Sequence, residues 1–293
     1  TPPLLTVAFI TYNRSKYLKR SLPCVLNQLG NDALAEVLVS DNASTDDTRA
    51  FVEGLQKTYG NLRCHCNEKN IGAEGNIHRA VKASRGEYVL VAGDDDCFVD
   101  GSLHALLTNI IRYRGVSIFY LGNEKIPRRV YTGTGCLQYI ALVSYYMARL
   151  TRVVMRRELY AHIPKPQKYD ASRISQVYLQ MEMLKQRPDF AVLHGAFFAE
   201  GCGDHQPKGY NFAEVFIKNY FDILMEEADI PPEQLAAEKK RVLEQSILPW
   251  CRRIKEDHIG LSLEGIFDIV AAYYGKEPYY AQLVGLLKEL LQE

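Results

Sequence analysis

The chain has 293 residues, enough for one large domain or for one domain with an appendage. At 47% hydrophobic and 24% charged residues, its composition is that of an ordinary globular protein. Lysine plus arginine (35) equals aspartate plus glutamate (35). No surplus positive charge is available to displace counterions from a polyphosphate backbone, which excludes nucleic acid as a partner and leaves any bound nucleotide small and locally held.

The first half alternates strand and helix. Leu4 to Ile10 is a short apolar, β-branched run that stops at Thr11-Tyr12-Asn13-Arg14, the pattern of a buried parallel strand. From Lys16 to Leu29 the apolar positions Tyr17, Leu18, Leu22, Val25, Leu26 and Leu29 have helical spacing. Val37-Leu38-Val39 predicts a second strand ending in Ser40-Asp41-Asn42, and Asp46-Asp47 suit the positive end of the helix that follows. Strands are predicted at 62–66, 87–92 and 116–121, with helices at 77–83 and 103–113. This order implies a doubly wound α/β sheet that is mostly parallel. Beyond about residue 210 the pattern turns helical throughout (214–228, 232–255, 263–274 and 278–291), with proline or glycine at the joins. The expected division is therefore a domain over residues 1–210 and a helical region over 211–293.

Seven cysteines are scattered along the chain, none in Cys-x-x-Cys spacing, and they read as plain thiols of a reducing compartment. In a strand, Cys64 and Cys66 would share one face. Thr1-Pro2-Pro3 carries no basic segment leading into an apolar core, so no signal peptide is expected. No apolar run approaches the roughly 18–20 residues that span a bilayer.

Ligands of an open parallel sheet bind at the carboxyl ends of its strands. Polar residues collect there: Thr11 to Arg14, Asp41-Asn42, and Asp94-Asp95-Asp96 behind an apolar strand. Three adjacent carboxylates repel and are costly to desolvate, and a hard divalent cation offsets both costs. Such a cation would also neutralise a departing diphosphate. The alternative is a solvated acidic turn ahead of the helix near Gly101.

Four segments, in this order and spacing, resemble the signature of family 2 glycosyltransferases. They are Phe9-Ile10-Thr11-Tyr12-Asn13-Arg14, Val39 to Thr48 (VSDNASTDDT), Asn67 to Gly72 (NEKNIG), and Gly86-Glu87-Tyr88 leading into Gly93-Asp94-Asp95-Asp96. The triplet, with Val153 to Leu159 further on, is similar to the subgroup of abequosyltransferases and other O-antigen and capsule sugar transferases. The resemblance covers about residues 4–205. It implies a GT-A fold and inverting transfer from a nucleotide-diphosphate sugar to a glycan or lipid-linked acceptor, assisted by Mn2+ or Mg2+.

Carried over residue by residue, it implies that Thr11, Tyr12 and Arg14 line the base and diphosphate pocket. Asp41 would meet the base, with Asn42 beside it. Gly72 would let backbone approach the ligand, and Asn76 would face the donor. Asp94 would contact ribose or metal, and Asp95 and Asp96 the metal. The triplet fits the family's Asp-x-Asp in two registers, so the ligating pair stays open between them.

The departure lies at the general base. The family's Glu-Asp pair aligns with Ser175-Gln176, neither of which can take a proton. Asp170 is the nearest carboxylate, with Asp204 and His205 as alternatives; Asp170 equally suits a helix N-terminus, and His205 a metal shell or a plain surface loop. His194, after the apolar run Phe190 to Leu193, reads as structural, and Trp250 as core. Two other functions compete. A nucleotidyltransferase would want a glycine-rich basic loop after the first strand, which is missing. A catalytically inactive nucleotide-sugar or glycan-binding module is favoured by the missing pair. The expected setting is the cytoplasm or the inner face of its membrane, with peripheral membrane contact left open.

Overall fold

The fourteen strand residues of β1 (Leu5–Thr11) and β2 (Ala35–Asp41) are all buried except for a half-buried Ile10; β1 is accordingly apolar or β-branched on both faces, and β2 is so apart from Glu36, Ser40 and Asp41. The computed structural model describes residues 2–122, 125–199 and 209–291. The elements that follow are α1 (Ser15–Leu29), α2 (Thr48–Gln56), β3 (Leu62–Cys66), α3 (Gly72–Ala83), β4 (Tyr88–Gly93), α4 (Ser102–Arg112), β5 (Ile118–Leu121), β6 (Arg129–Thr134) and α5 (Cys136–Val143). Next come β7 (Val153–Arg156), α6 (Arg157–Ala161), α7 (Ser175–Gln186), β8 (Asp189–His194), α8 (Tyr220–Glu227), α9 (Pro232–Val242), α10 (Leu248–Glu256), α11 (Ile266–Tyr274) and α12 (Tyr280–Leu291).

The eight strands form one sheet in the order β3-β2-β1-β4-β7-β5-β8-β6. The first four neighbours are parallel, as expected. β7 enters antiparallel between β4 and β5, and β6 closes the far edge antiparallel to β8. Neither strand was anticipated. β7 has only four residues, and β6 (RVYTGT) is exposed or half-buried along its length, as suits an edge. The fifth strand begins at Ile118, two residues later than the pattern indicated; Ser117, just before it, donates its N–H to the Asp189 carbonyl at 2.8 Å.

One face of the sheet is covered by α1 and α4. Leu18, Leu22, Val25, Leu26 and Leu29 of α1 and Leu103, Leu106, Leu107 and Ile110 of α4 close over Leu5, Val7, Phe9, Val37, Val39, Leu90 and Ala92 in one core. Each fully buried aliphatic side chain there contributes about 1.5–3 kcal/mol. A Leu22→Ala substitution would cost about 2–5 kcal/mol, because the cavity could collapse only partly. α3 packs on β1, β2 and β4 through Ile77, Ala80 and Val81, which take no part in that core.

The chain divides into two compact units. The first comprises 1–135, 149–168 and 182–204; the second comprises 136–148, 169–181 and 205–293. The second therefore gathers two segments from the middle of the chain as well as the C-terminal helices. Within it, residues 214–219 form wide π-type turns leading into α8, and a second such stretch, 243–247, joins α9 to α10. Its buried polar centre is Glu238, whose Oε1 accepts from the Ser144 hydroxyl at 2.6 Å and the Tyr220 hydroxyl at 2.7 Å. Its Oε2 accepts from Arg241 at 3.2 Å. Trp250 is half-buried with its ring 6.0 Å from that of Phe212.

Cys64 and Cys66 do share a face, with sulfurs 3.6 Å apart. Cys97 is disulfide-bonded, which corrects the reading of plain thiols for that residue; Cys24, Cys64, Cys66, Cys136 and Cys251 are not in disulfides. Among the described residues no helix is long and apolar enough to cross a membrane.

Candidate active site

Register brings the polar strand ends together. Thr11 lies opposite Asp41 across the β1–β2 pair, and Ile10 lies opposite Gly93 across β1–β4. Residues at the ends of three strands therefore reach one level at the carboxyl edge, as the sheet type requires.

Asp94 is buried at 4% exposure and fully engaged. Its Oδ2 accepts from the Thr11 hydroxyl at 2.8 Å, and its Oδ1 from Arg14 Nε at 2.7 Å. The same guanidinium reaches across to Asp95, donating from Nη2 to Oδ2 at 2.7 Å, and lies over the Tyr17 ring at 4.3 Å. Ser21 of α1 donates its hydroxyl to the Asp94 carbonyl at 2.6 Å. Burial raises the Asp94 carboxyl to about 6, against the opposing pull of Thr11 and Arg14.

Asp96 accepts from the Gly93 N–H at 3.0 Å and from the Thr151 hydroxyl. A β-carbon on Gly93 would stand 2.9 Å from Asp96 Oδ2 and 3.0 Å from Asp95 Oδ1. The two carboxylates thus converge over a glycine that leaves them the space. That cradle of hard oxygens fits a Mg2+ or Mn2+ ion completed by a diphosphate. Among the described residues, no group of three or more His, Cys, Asp or Glu side chains stands ready as a cage by itself. Asp94, tied to Thr11 and Arg14, stands behind this pair.

The neighbouring loops are held by asparagines. Asn42 donates to Asn70 Oδ1 at 2.8 Å and to the Gly72 carbonyl at 3.1 Å, while its own oxygen accepts from Asn67 and from the Ile71 N–H, both at 3.0 Å. Asn76 is 2% exposed. It donates to the Ser40 carbonyl at 2.9 Å and accepts from the Ser40 hydroxyl and from Asn67. Its amide is committed to the scaffold rather than to an outside ligand, which differs from its expected place facing a donor. Gly72 has φ +80° with open space where a β-carbon would be, so the backbone angle is what calls for glycine here. Asp41 is buried and accepts from the Ser44 N–H at 3.1 Å. Asn13, at φ 52°, crosses to the same loop, its side chain accepting from the Thr45 N–H at 2.7 Å. Tyr12 is 42% exposed beside it. Asp46 accepts from the N–H groups of Ser15 and Thr48, at the starts of α1 and α2, and so serves two helices.

Sequence patterns had assigned no role to Ser21, Thr151, Gly93 or Asn67. Thr151 lies 55 positions from Asp96 and gives no local signal. The glycine directly before the carboxylates was a signal that could have been read.

Asp170 belongs to the second unit, in a single short turn, 170–172, ahead of α7. Ser175 and Gln176, at the family's base position, are buried, and Gln176 donates its amide to the Ala148 carbonyl. Asp204 and His205 lie outside the described residues.

Residues 6–146 match glycosyl transferase family 2. The abequosyltransferase RfbV of Salmonella typhimurium is 24% identical over 226 residues, 68% of this chain and 62% of that protein. The GalNAc(5)-diNAcBac-PP-undecaprenol beta-1,3-glucosyltransferase of Campylobacter jejuni is 33% identical over 106 residues, 36% of this chain and 34% of that one. The matched regions thus span from about a third to less than two thirds of these relatives' length. Among solved structures, S. aureus TarS 1–349 in complex with UDP-GlcNAc is similar with a TM-score of 0.63, at 19% identity, covering 98% of this chain and 88% of that one. The mannosyltransferase PcManGT of Pyrobaculum calidifontis, in complex with GDP-Man and Mn2+, is similar with a TM-score of 0.54, at 15% identity, covering 100% and 88%. The shared architecture is the GT-A fold.

Proposed function

We propose a reaction for this chain on the premise that it belongs to glycosyl transferase family 2 through residues 6–146. It moves a sugar from a nucleotide-diphosphate donor to a hydroxyl of a glycan or lipid-linked acceptor in surface polysaccharide synthesis, inverting the anomeric carbon. The observation that carries this reading is the junction of Thr11, Arg14, Asp94 and Asp95 beside the Asp95–Asp96 cradle, at the strand edge where such folds bind ligands. The neighbours crystallised with UDP-GlcNAc and with GDP-Man and Mn2+ support the donor class and the metal. The undecaprenol-linked substrate in the name of the C. jejuni relative supports a lipid-linked acceptor.

In the reaction, the acceptor oxygen gives its proton to a carboxylate and attacks the anomeric carbon opposite the diphosphate. The new C–O bond forms as the bond to the diphosphate oxygen breaks, and the diphosphate leaves with the electron pair. Asp95 and Asp96 would hold Mn2+ or Mg2+, which would supply positive charge to the diphosphate. Thr11 and Arg14 hold Asp94 charged and oriented behind that pair, so little reorganisation is left for the moment of transfer. Asp41 and Tyr12 receive the nucleoside, with Asn42 fixing the loop around Gly72. Asp170 takes the acceptor proton, and His205 is the alternative. The chain works in the cytoplasm or at the inner face of its membrane.

A panel of UDP-, GDP-, CDP- and dTDP-sugars with Mn2+ tests the reading. One donor should raise the melting temperature and release its nucleoside diphosphate, and a chelator should abolish the release. A panel in which no donor binds would overturn it. A second reading, an inactive nucleotide-sugar-binding module, is favoured by Gln176, which has no proton-accepting carboxylate and is tied to the backbone. Tight donor binding with no release or transfer for any acceptor would select it.

A further inference from the structure

A cavity of about 320 Å3 opens in the first unit between α4 and the carboxyl end of β8. Its lining includes Ser102, Asn109, Arg112, Arg128, Arg129 and His194 and, among the described residues, no aspartate or glutamate. Arg112, Arg128 and Arg129 have no ion pair among the described residues, and Arg112 and Arg129 lie over the rings of Tyr113 and Tyr131. Three guanidinium groups around one hollow repel each other unless an anion joins them.

Ser102 adds an independent observation. It is the first residue of the 11-residue helix α4, it is 0% exposed, and its hydroxyl has no hydrogen-bond partner. A buried hydroxyl left unpaired costs about 1–3 kcal/mol, which a ligand oxygen at the helix's positive end would recover. The arginines are also positioned by the backbone. Gly195, at φ +141°, would place a β-carbon 3.1 Å from Arg128 Cγ, so the Arg128 stem lies against backbone that only glycine leaves bare. The segment that carries this wall is fixed to the chain just after the triplet: Val99 donates its N–H to the Phe197 carbonyl and Ala199 to the Cys97 carbonyl, both at 2.9 Å.

We propose that this cavity is a second anion site, separate from the one at Asp94–Asp96, and that it takes a phosphate mono- or diester. Planar guanidinium forks match phosphate oxygens in pairs, and Ser102 donates to a further oxygen from within. The ester is carried either by a soluble molecule or by a lipid headgroup, with the same chemistry. The site is defined by its own residues and does not depend on which sugar donor the chain uses.

The test uses the full chain and three probes: inorganic phosphate, glycerol 3-phosphate, and phosphatidylcholine vesicles with and without phosphatidylglycerol. Calorimetry should detect saturable binding of at least one probe. Arg128→Ala/Arg129→Ala, at two exposed positions, should weaken it at least about tenfold, with the Lys/Lys version intermediate. Ser102→Ala should weaken it less, and donor-induced stabilisation should be the same in all variants. Binding of glycerol 3-phosphate alone assigns a soluble ester; binding to phosphatidylglycerol vesicles assigns the lipid. No saturable binding of any probe, or binding equal in the double-alanine variant, overturns the proposal.

Discussion

Arg14 and Asp94, 80 positions apart in sequence, meet at 2.7 Å, so one guanidinium closes the end of β1 onto the end of β4. The same group holds Asp95, which makes the pair a strut between the triplet and the first strand rather than an isolated surface ion pair.

Replacing Arg14 by lysine keeps the charge and removes the fork that spans two carboxylates. We expect donor affinity to fall by about tenfold, equivalent to about 1.4 kcal/mol, and alanine to cost more. Isothermal titration with the donor and Mn2+ measures it; an unchanged affinity in Arg14→Ala would remove the strut from the binding site.

Asp95→Ala and Asp96→Ala should each reduce Mn2+-dependent donor binding at least about tenfold while leaving the melting curve nearly intact, because both side chains lie at the carboxyl edge rather than in the core. Unchanged binding in both variants would refute the metal assignment.

Gly93→Ala is the steric counterpart. The added methyl would stand 2.9 and 3.0 Å from the Asp96 and Asp95 oxygens and must push them apart. Gly93 is not among the residues with positive φ, so the backbone accepts alanine. Donor affinity should fall by an amount similar to that in the aspartate variants, with metal-free folding preserved; a fully active Gly93→Ala would show that the two carboxylates need not converge.

Asp170→Asn should leave donor binding intact and lower the transfer rate at least about a hundredfold, the scale of a lost general base. Retention of most of the rate would move the base to His205 or Asp204.

Glu238 gives a test of stability. Burial raises its carboxyl above the ordinary 4.5, with Ser144, Tyr220 and Arg241 opposing the rise. Above 4.5 the folded chain therefore holds this proton more tightly than the unfolded chain does, so its contribution to stability falls as pH rises from 4.5 through the raised value. Glu238→Gln keeps an acceptor for Ser144 and Tyr220 and cannot ionise. Its stability relative to the parent should increase from pH 4.5 upward in denaturant titrations, and a pH-independent difference would contradict the shift.

The four parallel strands, their helices and the C-terminal helical run were legible because each has a local period or an apolar run bounded by polar residues. The carboxylate triplet stood out for the same reason, since clustered charge behind a buried strand is a local pattern. The antiparallel strands β6 and β7 were not legible. A four-residue run and an exposed edge strand carry too little periodicity, and only pairing with β4, β5 and β8 makes them strands.

The sequence by itself determined which residues stand at the strand ends, because strand length and polarity are written locally. Only the tertiary structure decided what each of them does there. It joined Asp94 to Arg14 and Thr11, turned Asn76 inward to Ser40, and brought Thr151 to Asp96. It also set three arginines around a buried serine. Hydrogen bonds and ion pairs act over about 3 Å, and partners 36 to 83 positions apart come within that reach only when register and packing bring the chain back on itself.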